Sequence, residues 1–156
     1  MAQGGRRLRG GPPPVEGSRE SLRRGYVLTA LPAEGYDGPV PDWPLPVRED
    51  DEVAAREGDL WRWVWRTPQA CAWSLPSERW RTQIVARWVR QAVLCESVGA
   101  KPADHGQLHR YADQIGLTTA GLREMGWKVA TDEVTAKAAE PRPVRRERRL
   151  REAPGA

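Results

Sequence analysis

The sequence predicts a small all-α domain of four to six helices with a helix-turn-helix-like corner, flanked by disordered basic arms. Apolar residues recur at helical spacing through the middle of the chain. Six of the eight tryptophans fall between Trp61 and Trp88, and phenylalanine is absent. Because each indole offers roughly 150–250 Å² of surface to bury, this cluster indicates a tryptophan-built core or an assembly surface.

Charge divides the 156 residues into three parts. Residues 1–25 and 141–156 each carry a net charge of +4, and residues 26–140 carry a net charge of −4. An acidic body with two arginine-rich ends suits a phosphate-rich partner, although a G+C-rich genome gives the same bias toward arginine. We expect a Gly/Pro/Arg-rich N-terminal arm over residues 1–46, a tryptophan-rich helical domain over 47–130, and a short helix with a basic disordered tail over 131–156.

Prolines and glycines interrupt any long helix in the N-terminal arm. About the first 25 residues are expected to be disordered, because they hold little core-forming material. The apolar cluster from Tyr26 to Leu31, and Trp43 among its prolines, are expected to lie on the body as an extended strap.

The first helix of the domain is predicted between Arg48 and the tryptophan cluster. Apolar side chains from Leu60 to Trp65 fall on one helical stripe, and the acidic residues 49–52 suit a helix N-terminus. A strand is the alternative, because alternate residues from Trp61 onward are tryptophans.

Two more helices follow. Thr67 and Pro68 are typical of an N-cap with proline at the first helical position, and they predict a helix through Trp73. The longest helix is expected to start at Ser77, with a wide apolar face, and to stop at Gly99.

The stretch from Pro102 to Gly126 has the spacing of a helix-turn-helix. One helix is expected from Pro102 to about Ile115, and Thr118 is expected to cap a short helix ending near Gly126. Such a unit needs a small residue where the helices cross, a glycine in the turn and inward apolar positions. These positions hold Tyr111 and Ala112 at the crossing, Ile115 and Gly116 at the turn, and Leu117, Leu122 and Met125 facing inward.

This register leaves polar side chains on the outer face of the second helix, where a helix-turn-helix meets the major groove. The alternative is a plain αα-corner, which packs in the same way and binds no DNA. Gly121 inside the second helix weakens it by about 1 kcal/mol relative to alanine. The residues predicted to face DNA are Thr118, Thr119, Arg123 and Lys128.

The sequence carries no pattern typical of catalysis. It has no phosphate-cradling loop, no nucleophile-His-Asp arrangement and no paired catalytic carboxylates. The spacings among Cys71, Cys95, His105 and His109 fit no familiar zinc module. We therefore expect no enzyme activity, no metal and no cofactor.

The sequence also predicts a cytoplasmic location. No apolar run approaches the ~18 residues that a membrane span needs, and no apolar segment typical of a secretion signal follows the basic N-terminus. The two cysteines are expected to be reduced thiols.

Three segments resemble phage terminase small subunits, above all versions from phages of high-G+C bacteria. They read LWRWVWRTPQACAW at 60–73, VARWVR at 85–90 and YADQIGLTTAGLREMGWKVA at 111–130. The PDWPLP stretch at 41–46 and the N-terminal arm are similar too, so the resemblance covers most of residues 40–130. It implies a non-catalytic protein that binds double-stranded viral DNA, assembles into rings and delivers DNA to the large terminase subunit. The alternatives are a helix-turn-helix transcription regulator and a plain structural or interaction protein.

Two further sets of site residues follow from composition. Eight tryptophans exceed what a small body readily buries, so some are expected at a homo-oligomer interface; these are Trp61, Trp63, Trp65 and Trp73. The flexible arms are expected to contact DNA phosphates through Arg6, Arg7, Arg9, Arg145, Arg146, Arg148 and Arg149. In the resembled family the C-terminal end often docks the large subunit instead.

Overall fold

The structure is a computed structural model that describes residues 15–130. Helices dominate this part of the chain and one pair of short strands joins them, so the predicted all-α class is confirmed. Within the same residues, no helix has both the length and the apolar character needed to cross a membrane. The elements in chain order are α1 Arg19–Arg23, β1 Thr29–Leu31, α2 Asp51–Val64, α3 Pro68–Trp73, a 3₁₀ helix Pro76–Arg81, α4 Thr82–Cys95, α5 Pro102–Ile115, α6 Thr119–Glu124 and β2 Trp127–Val129.

Helix α2 begins in the acidic run that predicted a helix N-terminus. The side chain of Asp50 accepts hydrogen bonds from the backbone N–H groups of Glu52 (3.0 Å) and Val53 (3.1 Å), donors that the first helical turn leaves free. The alternative of a strand is wrong. A strand would place Trp61 and Trp63 on one face, whereas Trp61 is 4% exposed and Trp63 is 57% exposed.

The predicted starts of α3, α5 and α6 are confirmed. Thr67 is the N-cap residue of α3 and Pro68 is its first residue, although the Thr67 hydroxyl donates to the carbonyl of Val64 (2.8 Å). Helix α5 begins at Pro102, and Thr118 caps α6 with its side chain. These signals are local, since each depends on residues within one turn of the helix start.

Helix α4 differs from its prediction at both ends. It begins at Thr82 rather than Ser77, because Pro76 opens a tighter 3₁₀ helix first. It ends at Cys95, before Gly99, and the residue after Cys95 still bonds to helix carbonyls through its N–H. With 14 residues, α4 is as long as α2 and α5.

Four tryptophans and a tyrosine form a continuous row of edge-to-face ring contacts through the core. This geometry suits the charge distribution of aromatic rings. The row begins on the extended segment before α2 and continues through α2 into α3. The indole N–H of Trp61 donates to the carbonyl of Pro41 (2.8 Å), whereas the buried N–H of Trp65 has no acceptor among the described residues. The centroid distances are 5.2 Å for Trp43–Trp61, 5.6 Å for Trp61–Trp65, 5.8 Å for Trp65–Trp73 and 6.1 Å for Tyr36–Trp65.

Arg66 and Arg90 hold the extended segment before α2 against the body. Arg66, just after α2, donates to the carbonyls of Tyr36 (3.2 Å) and Gly38 (2.8 Å). Arg90 of α4 donates to the carbonyl of Pro46 (2.6 Å). The segment thus lies on the domain in the manner of the expected strap.

Residues 15–25 belong to the stretch that was expected to be disordered, and they contain the short helix α1, Arg19–Arg23. The cluster from Tyr26 to Leu31 lies on the body as expected, and its last three residues form β1, which pairs in parallel with β2 at the other end of the described chain. Thr29 lies opposite Trp127, and Leu31, which is buried in the core, lies opposite Val129. A three-residue strand is too short to give a recognisable alternation in sequence. The folded body therefore extends N-terminally of the boundary expected at residue 47.

A buried carboxylate ties α2 to α4. Glu57 is 3% exposed, and its two oxygens accept hydrogen bonds from Nε (2.9 Å) and Nη2 (3.1 Å) of Arg90. Arg48 Nε lies 3.5 Å from the same carboxylate. Burying the carboxylate alone would be costly, and the paired guanidinium offsets that cost. A second pair, between Arg56 of α2 and Glu96 just after α4, is exposed.

Replacing Arg90 with methionine is expected to lower the free energy of unfolding by about 3 kcal/mol, because it leaves a buried carboxylate with weak compensation. The control Arg56→Met removes an arginine from the solvent-screened pair, so its effect should be much smaller. Urea unfolding followed by circular dichroism measures both variants. Equal losses of stability would contradict the assignment of Glu57–Arg90 as the structural pair.

Candidate nucleic-acid interface

Helices α5 and α6 meet at the corner that the sequence predicts. Helix α5 ends at Ile115, and Gly116 follows with φ 77°, a left-handed conformation that glycine adopts at little cost. The N–H of Leu117 bonds to the carbonyl of Ala112 (2.9 Å) and that of Gly116 bonds to Asp113 (3.2 Å). These two bonds form a Schellman motif, so the predicted turn glycine is confirmed.

Side chains from α3 and the 3₁₀ helix anchor the backbone of this turn. The last carbonyls of a helix have no donor within the helix, and here three consecutive carbonyls receive donors from elsewhere in the fold. The tryptophan-rich segment therefore fixes the orientation of the corner. The bonds run from Arg81 Nη1 to Gln114 O (2.8 Å), from Trp73 Nε1 to Ile115 O (3.0 Å) and from Gln69 Nε2 to Gly116 O (3.1 Å).

Arg81 also supports the strand that follows the corner. Its guanidinium lies 4.4 Å from the ring centroid of Trp80 and 5.4 Å from that of Trp127, and it pairs with Glu78. The residue is only 9% exposed. Sequence reasoning missed this anchor, because nothing local distinguishes Arg81 from the many exposed arginines.

Gly121 is the small residue at the helix crossing. A Cβ atom on Gly121 would lie 2.3 Å from the Asp113 carbonyl oxygen and 2.8 Å from its Cα. The sequence predicts the small crossing residue on the first helix, at Ala112 beside Tyr111, and the structure adds Gly121 on the second helix, packed against the neighbouring Asp113. The glycine that weakens α6 in isolation is what lets α6 approach α5.

The outward face of α6 carries two of the predicted DNA contacts. Thr119 and Arg123 are exposed and lie four residues apart, on one side of the helix. Thr118 is different, because its hydroxyl accepts from the N–H of Gly121 (2.9 Å) and donates to the Asp113 carboxylate. Its prediction as a DNA contact is corrected to that of a helix cap.

Lys128 lies on β2, beyond the end of α6. Its Nζ is 2.9 Å from both carboxylate oxygens of Glu16, so its charge is compensated within the protein. The predicted phosphate contacts of the arms, at Arg6, Arg7, Arg9, Arg145, Arg146, Arg148 and Arg149, lie outside the described residues.

The structure corrects three of the four tryptophans predicted at an oligomer interface. Trp61, Trp65 and Trp73 are at most 4% exposed, because the row of ring contacts encloses them within the protomer. Trp63 remains on the surface at 57% exposure, and Trp80, which the sequence did not single out, is equally exposed.

A shallow groove of about 430 Å³ lies beside Trp63. Its walls come from α2, α4 and α5 and from the turn before α6. Most of its lining is apolar, and two histidines contribute polar atoms. A tryptophan on the edge of an apolar groove is typical of protein interfaces. The lining residues are Trp63, Trp88, His105, Leu108, His109, Ala112 and Leu117.

Among residues 15–130, no group of three or more His, Cys, Asp or Glu side chains converges as a metal site would require. Cys71 and Cys95 are both free thiols. Burial raises the pKa of the Cys71 thiol above its ordinary value, and the nearby Asp37 carboxylate adds to the effect.

Comparison of the chain with protein-family models, with curated proteins and with solved structures gave no match.

Replacing Gly121 with alanine is expected to lower the free energy of unfolding by about 2 kcal/mol, because the new methyl group overlaps backbone atoms of α5. Gly106→Ala is the matched control. Gly106 lies within α5, where a Cβ meets nothing within 4 Å, so alanine should stabilise the protein by about 1 kcal/mol. Thermal unfolding measures both, and stabilisation by both substitutions would contradict the close crossing.

Replacing Trp63 with serine is expected to dissociate an oligomer of this protein, since it removes the exposed indole beside the groove. Trp80→Ser removes an equally exposed indole from the 3₁₀ helix and serves as the control. Multi-angle light scattering at micromolar concentration gives the mass of each. If the wild type is a monomer, the prediction of an interface at Trp63 is wrong. If only Trp80→Ser dissociates the oligomer, the interface lies at Trp80 instead.

Proposed function

We propose that this chain is a non-catalytic packaging adaptor, a phage terminase small subunit. In this proposal it binds double-stranded viral DNA in the host cytoplasm, forms a homo-oligomeric ring and presents DNA to the large terminase subunit. The resemblance of residues 60–73, 85–90 and 111–130 to that family supports the proposal. No cofactor or metal is required for such a task.

The observation that carries the proposal is the anchored corner with its open outer face. The inner side of α6 packs on the core through Leu122 and Met125. Its outer side presents Thr119 and Arg123 to solvent. A hydroxyl and a guanidinium on one helical face are donors suited to phosphate oxygens and base edges. Since the turn is held from outside by three side chains, these donors need little ordering when DNA binds.

Charge along the chain supports a nucleic-acid partner as well. The two ends carry +4 each, whereas residues 26–140 carry −4. Arginine-rich arms would supply affinity that does not depend on base sequence and falls with salt. The corner would then add the sequence preference needed to find a packaging start.

An interaction module without DNA binding is the second candidate, and the length of α6 favours it. The helix has six residues, so it presents fewer side chains to a major groove than a longer recognition helix does. Such a module would show no salt-dependent DNA binding. A helix-turn-helix regulator would bind DNA as a dimer, and gel filtration distinguishes that dimer from a ring.

Replacing Arg123 with alanine is expected to weaken binding to cognate DNA by roughly 1–3 kcal/mol, the cost of removing an arginine that reads a base. Arg87→Ala removes another exposed arginine, from α4, and should have a smaller effect. Fluorescence anisotropy with labelled DNA gives the affinities, and circular dichroism checks the fold.

Unchanged DNA affinity in the Arg123 variant would indicate that the DNA contacts lie in the arms. In that case, replacing the seven arm arginines with alanine should flatten the slope of log affinity against log salt by about 0.9 for each phosphate that the protein no longer neutralises. If the wild type does not bind DNA, the interaction module is the remaining candidate function.

A further inference from the structure

The carboxylate of Glu16 is bound by two donors, the side chain of Lys128 on β2 and the backbone N–H of Leu28. Both of its carboxylate oxygens lie 2.9 Å from Nζ of Lys128, and the backbone N–H of Leu28 donates to one of them at 3.3 Å. The Lys128 hydrogen bond is the main cause that lowers the pKa of Glu16, so the carboxylate is ionised at neutral pH. An ammonium group and a backbone N–H converging on one anion are also the donors that bind a phosphate.

The surrounding backbone places Leu28 and Lys128 close together independently of Glu16. Ala30 lies opposite Lys128 in the parallel pair of β1 and β2. The N–H of Thr29 donates to the carbonyl of Gly126 (2.7 Å), and the N–H of Ala130 donates to that of Leu31 (2.8 Å). The Leu28 N–H and the Lys128 backbone therefore keep their positions if the carboxylate leaves, and the Lys128 side chain stays within reach of an anion bound there.

The Glu16–Lys128 pair is exposed enough to be exchanged. The Lys128 side chain is 45% exposed and that of Glu16 is 32% exposed. Ion pairs open to solvent contribute little to stability, because water and salt screen them. A phosphate of DNA offers the same charge, and its binding also releases condensed counterions, which a single carboxylate does not.

We propose that Lys128 Nζ and the Leu28 N–H form a subsite for a DNA backbone phosphate, which Glu16 occupies in the free protein. This rests on the proposed function, since it requires that the corner meets DNA. In this proposal a duplex on the outer face of α6 extends to Lys128, which follows Arg123 by five positions in the chain. On binding, the phosphate replaces the carboxylate, and Lys128 changes from an internal ion pair to a DNA contact.

The test is the substitution Glu16→Gln in the full chain. Glutamine keeps an oxygen that accepts from Leu28, but it removes the charge that competes for Lys128. DNA affinity at an ionic strength of about 0.1 M should rise about fivefold, because no carboxylate has to be displaced from Lys128. The slope of log affinity against log salt should stay unchanged, because Lys128 neutralises the same phosphate in the wild type and in the variant.

Two further variants separate exchange from a general change in charge. Glu20→Gln makes the same charge change on α1, where Glu20 pairs with Arg24, and should raise affinity less than Glu16→Gln does. In the double variant Glu16→Gln with Lys128→Gln, the gain in affinity should disappear.

Each remaining outcome overturns the inference and locates the error. If the wild type binds DNA and Glu16→Gln has unchanged or lower affinity with a lower melting temperature, Glu16 is a structural clasp and the proposed function stands. If Glu20→Gln gives an equal gain, or the double variant keeps the gain, net charge is the cause and the subsite is refuted. If neither the wild type nor any variant binds DNA, the proposed function itself fails.

Discussion

The fold depends on how the C-terminal carbonyls of α5 are satisfied. A helix end buried without donors is unstable. Here Arg81 and Trp73 donate to the last two carbonyls of α5, and Gln69 donates to the carbonyl of Gly116 in the turn that follows. Trp73 is also the last member of the aromatic row, which begins at Trp43 on the strap. Hydrophobic packing and helix capping are thus provided by the same residue. As a result, the strap, the central helices and the corner form one connected unit.

Local chemistry explains which parts of the fold were predictable from sequence. The helix starts at Asp50, Pro68 and Pro102 depend on neighbours within one turn, and the structure has them where the sequence predicts them. The predicted start of α4 was wrong, because a 3₁₀ helix and an α-helix begin with similar residues. The pairing of β1 with β2 was missed, because three-residue strands depend on a partner distant in sequence rather than on their own pattern.

The candidate site also combines features that local sequence predicts with features that depend on packing between distant parts of the chain. The turn at Gly116 and the outward positions of Thr119 and Arg123 follow from helix-turn-helix spacing alone. The role of Gly121 does not follow from this spacing. Helix propensity gives only the destabilising effect of a glycine within α6, whereas the missing side chain lets α6 pack closely on α5. Nor does composition tell which tryptophans remain on the surface. That depends on which side of α2 each one occupies, and the packing of the strap decides it.

The parallel pairing of β1 with β2 also determines the order in which the chain can fold. Glu16 and Lys128 are 112 residues apart in sequence, so the N-terminal segment leaves the ribosome long before its neighbours are made. Helices α4 and α5 are adjacent in sequence and can pack early, since contacts of short separation form fastest. We expect the large loop between Thr29 and Trp127 to close last, because it carries the entropic cost of long-range contact. The strand Thr29–Leu31 therefore stays without its partner until synthesis reaches Trp127–Val129.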